Sequence, residues 1–347
     1  MTGDKRLRFP SSRLRLSNGA VIDELLAEGK RIHGFWGTAP TGKPHIGYLV
    51  PLIKIAEMVA AGIDFSIYFA DEYAYLINYK HPRELVDYRT QYYEFLVRAT
   101  VEALGIPQME DHFVRESVLF AAVKQSSHDL NRLYTLLSID DVRAVSNEMA
   151  TTTMTSSLLC PARQVLCEEY LHADFQLGGQ DQSGVFALAE RILPHLGYTS
   201  RAHLTTEMIP GLTTAKMSSS HAAGTKIELL DPPDVVCSKI GEATCIPGVV
   251  EGNALLAMAR HILLPLCRLR MALEGGSHPF TVPSATGEDR TYFNYEDLEH
   301  DFLAHSVTPA ELKASVAAGL NLLLDPVRNN FDSNEDWQKV AVLAYPE

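Results

Sequence analysis

The sequence predicts an α/β protein: a doubly wound parallel sheet carrying a helical insertion, followed by an α-helical C-terminal domain. Three observations lead there. Strand-like apolar runs alternate with helical periodicity over the first two thirds of the chain, the pattern of a parallel sheet covered by helices. A mostly helical stretch at about 111–169 interrupts that alternation. Beyond about 230 the apolar spacing is helical.

The elements follow in order. Residues 32–37 read as a strand and 49–61 as a helix, joined by the turn Pro40-Thr-Gly-Lys-Pro-His-Ile-Gly-Tyr48. A second strand at 65–69 precedes a helix at 82–104; a third at 177–179 precedes a helix at 183–196. Cys160-Pro-Ala-Arg-Gln-Val-Leu-Cys167 reads as two helical turns, with Cys160 as cap and Pro161 at the first helical position. Helices at 232–241, 251–264, 295–305 and 309–324 are joined by turns rich in Gly, Pro and Ser. Pro309 follows Ser306-Val-Thr308 with Glu311 close behind, a good helix start. The expected division is 1–229 and 230–347, and the polar tail after Phe331 has no assigned structure.

With 347 residues, 46% of them hydrophobic, the chain can bury a sizeable core. Residues 1–17 are basic and polar, and no apolar run approaches membrane-spanning length; neither a signal peptide nor a membrane segment is expected. Five cysteines, odd in number and without metal-ligand spacing, fit free thiols in a reducing cytoplasm. A net charge of −13 weighs against nucleic acid as a partner, although 30 Lys and Arg are enough to form a basic face.

Two short patterns carry chemistry. Thr41, His45 and Gly47 lie where a strand turns into a helix. Glycine there lets backbone approach a ligand, and free N–H groups attract phosphate. Lys216-Met-Ser-Ser-Ser220 places a cation and three hydroxyls in a polar loop after Pro210-Gly211. That set suits a polyphosphate whose charge grows as a bond breaks. Between them, Gly178-Gly-Gln-Asp-Gln182 puts a short carboxylate just past a strand.

These motifs, in this order, resemble the two signatures of a class I aminoacyl-tRNA synthetase with its Rossmann-like nucleotide fold. Gly34-Phe-Trp-Gly-Thr-Ala39, Phe69-Ala-Asp71 and Leu322-Leu-Leu-Asp-Pro-Val-Arg328 resemble the archaeal and eukaryotic tyrosyl enzymes in particular, from about residue 20 to about 331. The resemblance implies activation of an aromatic amino acid by ATP with Mg²⁺, then transfer to tRNA, in a cytoplasmic homodimer. By resemblance, Thr41 and His45 hold the triphosphate, while Lys216, Met217, Ser218 and Ser219 close over the pyrophosphate. Gly37, Thr38, Gly47, Gly179 and Ile209 accommodate adenosine, and Asp181 accepts the ribose hydroxyls. The second histidine of the first signature is Tyr48 here, as in eukaryotic members. The family reads the tRNA-Tyr anticodon around a stretch matched partly by Thr308-Pro-Ala-Glu311, which assigns Glu311 to a base edge. No protein metal site is implied.

The amino-acid pocket departs from the family. Positions 160, 164 and 167 share one helix face, where the family carries tyrosine, glutamine and aspartate. Here they are Cys160, Gln164 and Cys167. A first-strand tyrosine that joins the aspartate on the substrate phenol is Phe35 here. Gln164 and Gln182 remain for the α-amino group. Phe35 cannot hydrogen-bond, and a thiol is a weak partner. The expectation is one pocket wall of Phe35, Cys160, Gln164 and Cys167 that discriminates poorly between tyrosine and phenylalanine. Tyr68 and Tyr73 are available as replacement hydroxyls.

Three functional readings stand at this point. The chain is a tyrosyl-type synthetase, or a relative activating a modified or less polar aromatic amino acid. Alternatively it is a catalytically impaired relative that binds RNA or protein. As a third reading, it forms an adenylate without productive tRNA use.

Overall fold

The structure, a computed structural model, describes residues 10–78, 80–106, 109, 112–212, 226–284 and 287–346. Chain order begins with β1 (Leu14–Ser17), α1 (Ala20–Ala27), β2 (His33–Thr38), a 3₁₀ turn (Ile46–Tyr48), α2 (Leu49–Ala60) and β3 (Asp64–Phe69). Then come α3 (Asp71–Ile77), α4 (Arg83–Ala103) and β4 (Phe113–Arg115). Five short helices follow: α5 (Glu116–Ala122), α6 (Ser126–Leu136), α7 (Ile139–Arg143), α8 (Asn147–Thr151) and α9 (Thr155–Leu158). The chain returns to the sheet through α10 (Cys160–Tyr170), β5 (Phe175–Gly179), α11 (Ser183–Leu196) and β6 (Ala202–Thr206).

These strands form one sheet in the order β1-β6-β5-β2-β3-β4. All neighbours are parallel except β1, which runs antiparallel to β6. The strand order reverses at β2: β3 lies on one side and β5 on the other. In open α/β sheets ligands bind beyond the carboxyl ends of strands at such a switch point. The predicted doubly wound sheet is therefore present. Three of its strands escaped the sequence reading. β1 and β6 are short, and β4 opens the stretch read as a helical insertion.

One face of the sheet is covered by α2, whose residues are nearly all buried, and by α4. The other face carries α10, α11, α5 and α6 around Phe35, Tyr68 and Cys167. Past residue 226 the structure is helical apart from one hairpin, β7 (Phe280–Val282) with β8 (Arg290–Tyr292). Its helices are α12 (Pro233–Glu242), α13 (Ala254–Met258), α14 (Leu264–Glu274), α15 (Tyr295–Leu303), α16 (Pro309–Asp332) and α17 (Glu335–Ala344). A five-residue π-helical turn, Ala259–Leu263, joins α13 to α14. The start of α16 is a capping box, the Thr308 and Glu311 side chains each accepting from the other's backbone N–H.

The tail after Phe331 is ordered by packing rather than by propensity. Trp337 of α17 is fully buried, stacked on Phe95 of α4 and edge-on to Tyr92. The apolar cluster that begins under the sheet at Ile67 and Leu177 continues without a break to Leu324 and Trp337.

Candidate active site

The carboxyl ends of β2, β3 and β5 open into a cavity of about 470 Å³. Gly37, Thr38, Thr41, His45 and Gly47 line it from the first signature. Gly179, Asp181, Gln182 and Ile209 line it from β5 and beyond; Tyr68, Tyr73, Gln164 and Cys167 close the other end. Residues widely separated in sequence thus share one cavity, as the topology requires.

The first signature is held tightly. His45 caps the 3₁₀ turn, its Nδ1 accepting from the Gly47 backbone N–H at 3.1 Å. That bond places the ring N–H on Nε2, the atom able to donate. A β-carbon on residue 47 would lie 2.7 Å from the imidazole, so glycine is required for the ring to fold back. The segment after the second signature pairs with the first: Ile46 N–H donates to Ile227 at 2.9 Å, and Leu229 N–H donates to Pro44 at 3.3 Å. Lys216, Met217, Ser218 and Ser219 lie outside the described residues.

The carbonyl oxygens of the turn are gripped from below. Arg89 of α4 donates to Thr41 at 2.7 Å, and Tyr93 donates to Gly42 at 2.6 Å. Tyr345, just past α17, donates to Gly42 at 3.0 Å, with the Lys43 and Arg89 cations over its ring.

Asp181 stands inside a 3₁₀ turn directly after β5, and α11 starts two residues later without a side-chain cap. Asp181 is among the residues lining the cavity. A β-carbon on Gly179 would meet Asp181 Oδ1 at 2.6 Å and Met208 Sδ at 2.9 Å.

At the amino-acid end the sequence expectation is corrected in part. Gln164 and Gln182 do meet, Nε2 to Oε1 at 2.9 Å. Cys167 lines the cavity, but its thiol donates to the Gln164 carbonyl at 2.9 Å. Phe35 and Cys160 are not among the lining residues. Phe35 is fully buried in the core, edge-on to Tyr68 with ring centres 6.2 Å apart. Cys160 turns its thiol towards the Tyr73 and Ser156 carbonyls. Burial raises the pKa of Cys160 and Cys167, so both stay protonated.

Beside these lies a buried ion pair that the sequence reading missed. Glu116 lines the cavity and is paired with Arg163, whose guanidinium sits 4.3 Å over the Phe120 ring. Glu116 also accepts from the Tyr73 N–H at 2.9 Å. Nothing in the spacing of positions 116 and 163 indicated this contact. Glu311 lies away from the cavity, its carboxylate accepting from Thr308 N–H and Oγ at 2.9 Å. No group of three or more His, Cys, Asp or Glu among the described residues is arranged to hold a metal.

The family model for class I tRNA synthetases (W and Y) matches residues 27–325. This chain belongs to that family. Tyrosine--tRNA ligase, cytoplasmic, of Danio rerio is 41% identical over 331 residues, covering 94% of this chain and 60% of the relative. The enzyme of the same name from Saccharomyces cerevisiae is 35% identical over 333 residues, 95% of this chain and 84% of the relative. Tyrosyl-tRNA synthetase of Archaeoglobus fulgidus, solved in complex with L-tyrosine, superposes with a TM-score of 0.82 at 28% identity, covering 95% of this chain and 99% of that one. The chain is a tyrosyl-type member of its family, and it spans about three fifths of the length of the Danio relative.

Proposed function

We propose that the chain activates tyrosine, or a related aromatic amino acid, with ATP and transfers the aminoacyl group to tRNA. The observation that carries this reading is the convergence of His45, Asp181, Gln164 and Gln182 on one cavity at the sheet's switch point. L-tyrosine bound to the Archaeoglobus relative supports the choice of substrate.

In the activation step the substrate carboxylate attacks the α-phosphorus of ATP, and the bond to pyrophosphate breaks. Such a reaction needs positioning and charge stabilisation more than covalent help. His45 Nε2 and Thr41 hold the phosphates, Asp181 accepts the ribose hydroxyls, and Gly37, Thr38 and Ile209 accommodate adenosine. Gln164 and Gln182 hold the α-amino group. Lys216, with Met217, Ser218 and Ser219, stabilises the leaving pyrophosphate. Mg²⁺ would be supplied with ATP as part of that substrate, where it would neutralise triphosphate charge.

We divide the chain into a catalytic domain, 1–229, with the insertion at about 111–169, and an anticodon-binding domain, 230–347. Glu311 is assigned to tRNA-Tyr; competition by unrelated RNAs at matched salt tests that assignment, and equal binding removes it. Exposed apolar Val118, Leu136 and Ile139 support a homodimer through the insertion. Relatives named cytoplasmic support a cytoplasmic setting.

The test is ATP–pyrophosphate exchange over the aromatic amino acids, followed by charging of tRNA-Tyr. Exchange with tyrosine is expected. Exchange with no amino acid overturns the enzymatic reading in favour of a binding protein, and exchange without charging favours adenylate supply alone.

A further inference from the structure

Three residues that line the cavity each carry a buried polar atom with no hydrogen-bond partner among the described residues: the Tyr68 hydroxyl, Gln176 Oε1 and Asn78 Nδ2. Buried polar groups are nearly always paired, so an orphan on a residue that lines a ligand cavity points to a ligand atom as its partner. Two of the three are brought together by the sheet itself. Gln176 of β5 is in register with Phe35 of β2, and Tyr68 of β3 is in register with Gly37. Residues 35 and 37 are two apart on one strand, so all four share a face. Gly37 has no side chain to separate the other two. A β-carbon there would lie 3.4 Å from Tyr68 Cδ1 and 4.0 Å from Gln176 Nε2. Asn78 follows α3 and is not part of this row.

The chemistry of the row is specific. The Gln176 carbonyl can only accept, whereas the Tyr68 hydroxyl can donate and accept. Burial raises the Tyr68 pKa well above its ordinary value, so the phenol keeps its proton. The neighbouring groups are already committed: Cys167 donates to a backbone carbonyl, Glu116 holds Arg163, and Phe35 has no polar atom. One ligand hydroxyl, accepting from Tyr68 and donating to Gln176, satisfies both orphans at once. A plain hydrocarbon ring satisfies neither.

Resting on the activation reading above, we propose that Tyr68 and Gln176 are the specificity-determining pair of this pocket, reading a hydroxyl at the far end of the substrate side chain. They take over the role that Phe35 and Cys167 cannot fill. The pocket then selects a phenolic amino acid over phenylalanine, contrary to the indifference that the sequence alone predicts.

The experiment measures exchange kcat/KM for tyrosine and phenylalanine in the unaltered protein, Tyr68→Phe and Gln176→Leu. Sites built to bond a substrate hydroxyl reject its absence by roughly 10⁴–10⁵-fold; a preference for tyrosine of at least about 100-fold is expected. Tyr68→Phe is expected to cut that preference at least about tenfold by slowing tyrosine while phenylalanine is unaffected, with Gln176→Leu acting in the same direction. An unchanged ratio in Tyr68→Phe, or no preference in the unaltered protein, overturns the proposal. Calorimetry with tyrosinol and phenylalaninol separates this from failure of the activation reading. With exchange absent, tyrosinol binding more tightly, and losing that advantage in Tyr68→Phe, upholds the pair. Equal binding of the two alcohols, or binding of neither, overturns it. Unchanged melting temperature in both variants confirms that the fold is intact.

Discussion

The Tyr345 hydroxyl donates at 3.0 Å to the carbonyl oxygen of Gly42, 303 residues earlier in the chain. The segment just past α17 therefore supports the signature loop. Tyr93 donates to the same oxygen at 2.6 Å, so the loop backbone is fixed by two phenols on two different helical supports.

Removing one of those phenols is expected to cost rate before it costs stability. Tyr345→Phe deletes a single hydrogen bond, a net loss of about 1 kcal/mol. If the loop is displaced by that amount in the transition state, exchange kcat falls roughly fivefold. KM for the amino acid should not change, because Gln164 and Gln182 lie at the other end of the cavity. A variant that melts earlier but turns over normally would show that the contact is only structural.

Lys216→Ala is expected to lower the activation rate at least about 100-fold while leaving amino-acid affinity within about twofold. A cation acting on charge that develops at pyrophosphate contributes mainly in the transition state. Pre-steady-state adenylate formation measures the rate, and equilibrium tyrosine binding measures the affinity. Equal losses in both contradict the assigned role.

Gly179→Ala puts a methyl group into contact with Asp181 and Met208, at distances that no β-carbon tolerates. Asp181 must move, so KM for ATP is expected to rise about tenfold or more, with KM for tyrosine little changed. Titration of both substrates in the exchange assay distinguishes this from a general loss of folded protein.

His203 of β6 is buried between Glu168 and Glu190, its two ring nitrogens 2.9 and 2.8 Å from their carboxylates. Burial, the largest single influence, lowers its pKa, yet the two carboxylates together raise it above the ordinary value of about 6.5. The folded state thus holds a proton that the unfolded state releases. The resulting stabilisation is fully present below about pH 6.5 and is lost as pH rises through the folded value. Denaturant melts from pH 6 upward should show the decline, and His203→Gln should flatten it. A slope unchanged in that variant assigns the pH dependence to other groups.

Thr308→Ala opens the capping box of α16 and is expected to lower stability by about 1 kcal/mol. Urea unfolding measures the loss. Because Glu311 is held by the same box, Thr308→Ala should also weaken tRNA binding if Glu311 reads a base. A stability loss with unaltered tRNA affinity would remove Glu311 from the anticodon assignment.

Much of the fold and of the first signature was legible from residues alone because it is written locally. The helix read at 82–104 is α4, Arg83–Ala103, and the helix start at Pro309 is the capping box of α16. Gly47 beside His45, and Asp181 just past β5, are short-range arrangements that a strand-to-helix turn dictates. Short elements were less visible. The three residues of β4 and the five of β6 have too few positions to show alternation. α17 forms because Trp337 finds a place between α4 and α16.

The sequence by itself determined the order of motifs, the doubly wound sheet, the family, and the presence of Phe35, Cys160 and Cys167 rather than stronger hydrogen-bonding residues at those positions. Each of these depends on residue type and local spacing, which the chain states directly. Only the tertiary structure decided which side chains stand beside those positions. Phe35 and Gln176 are 141 positions apart, yet strand register sets them side by side, with Tyr68 on the next strand over Gly37. Register is fixed by the packing of whole strands and the helices that cover them. Burial then leaves the Tyr68 hydroxyl and Gln176 Oε1 without a partner among the described residues.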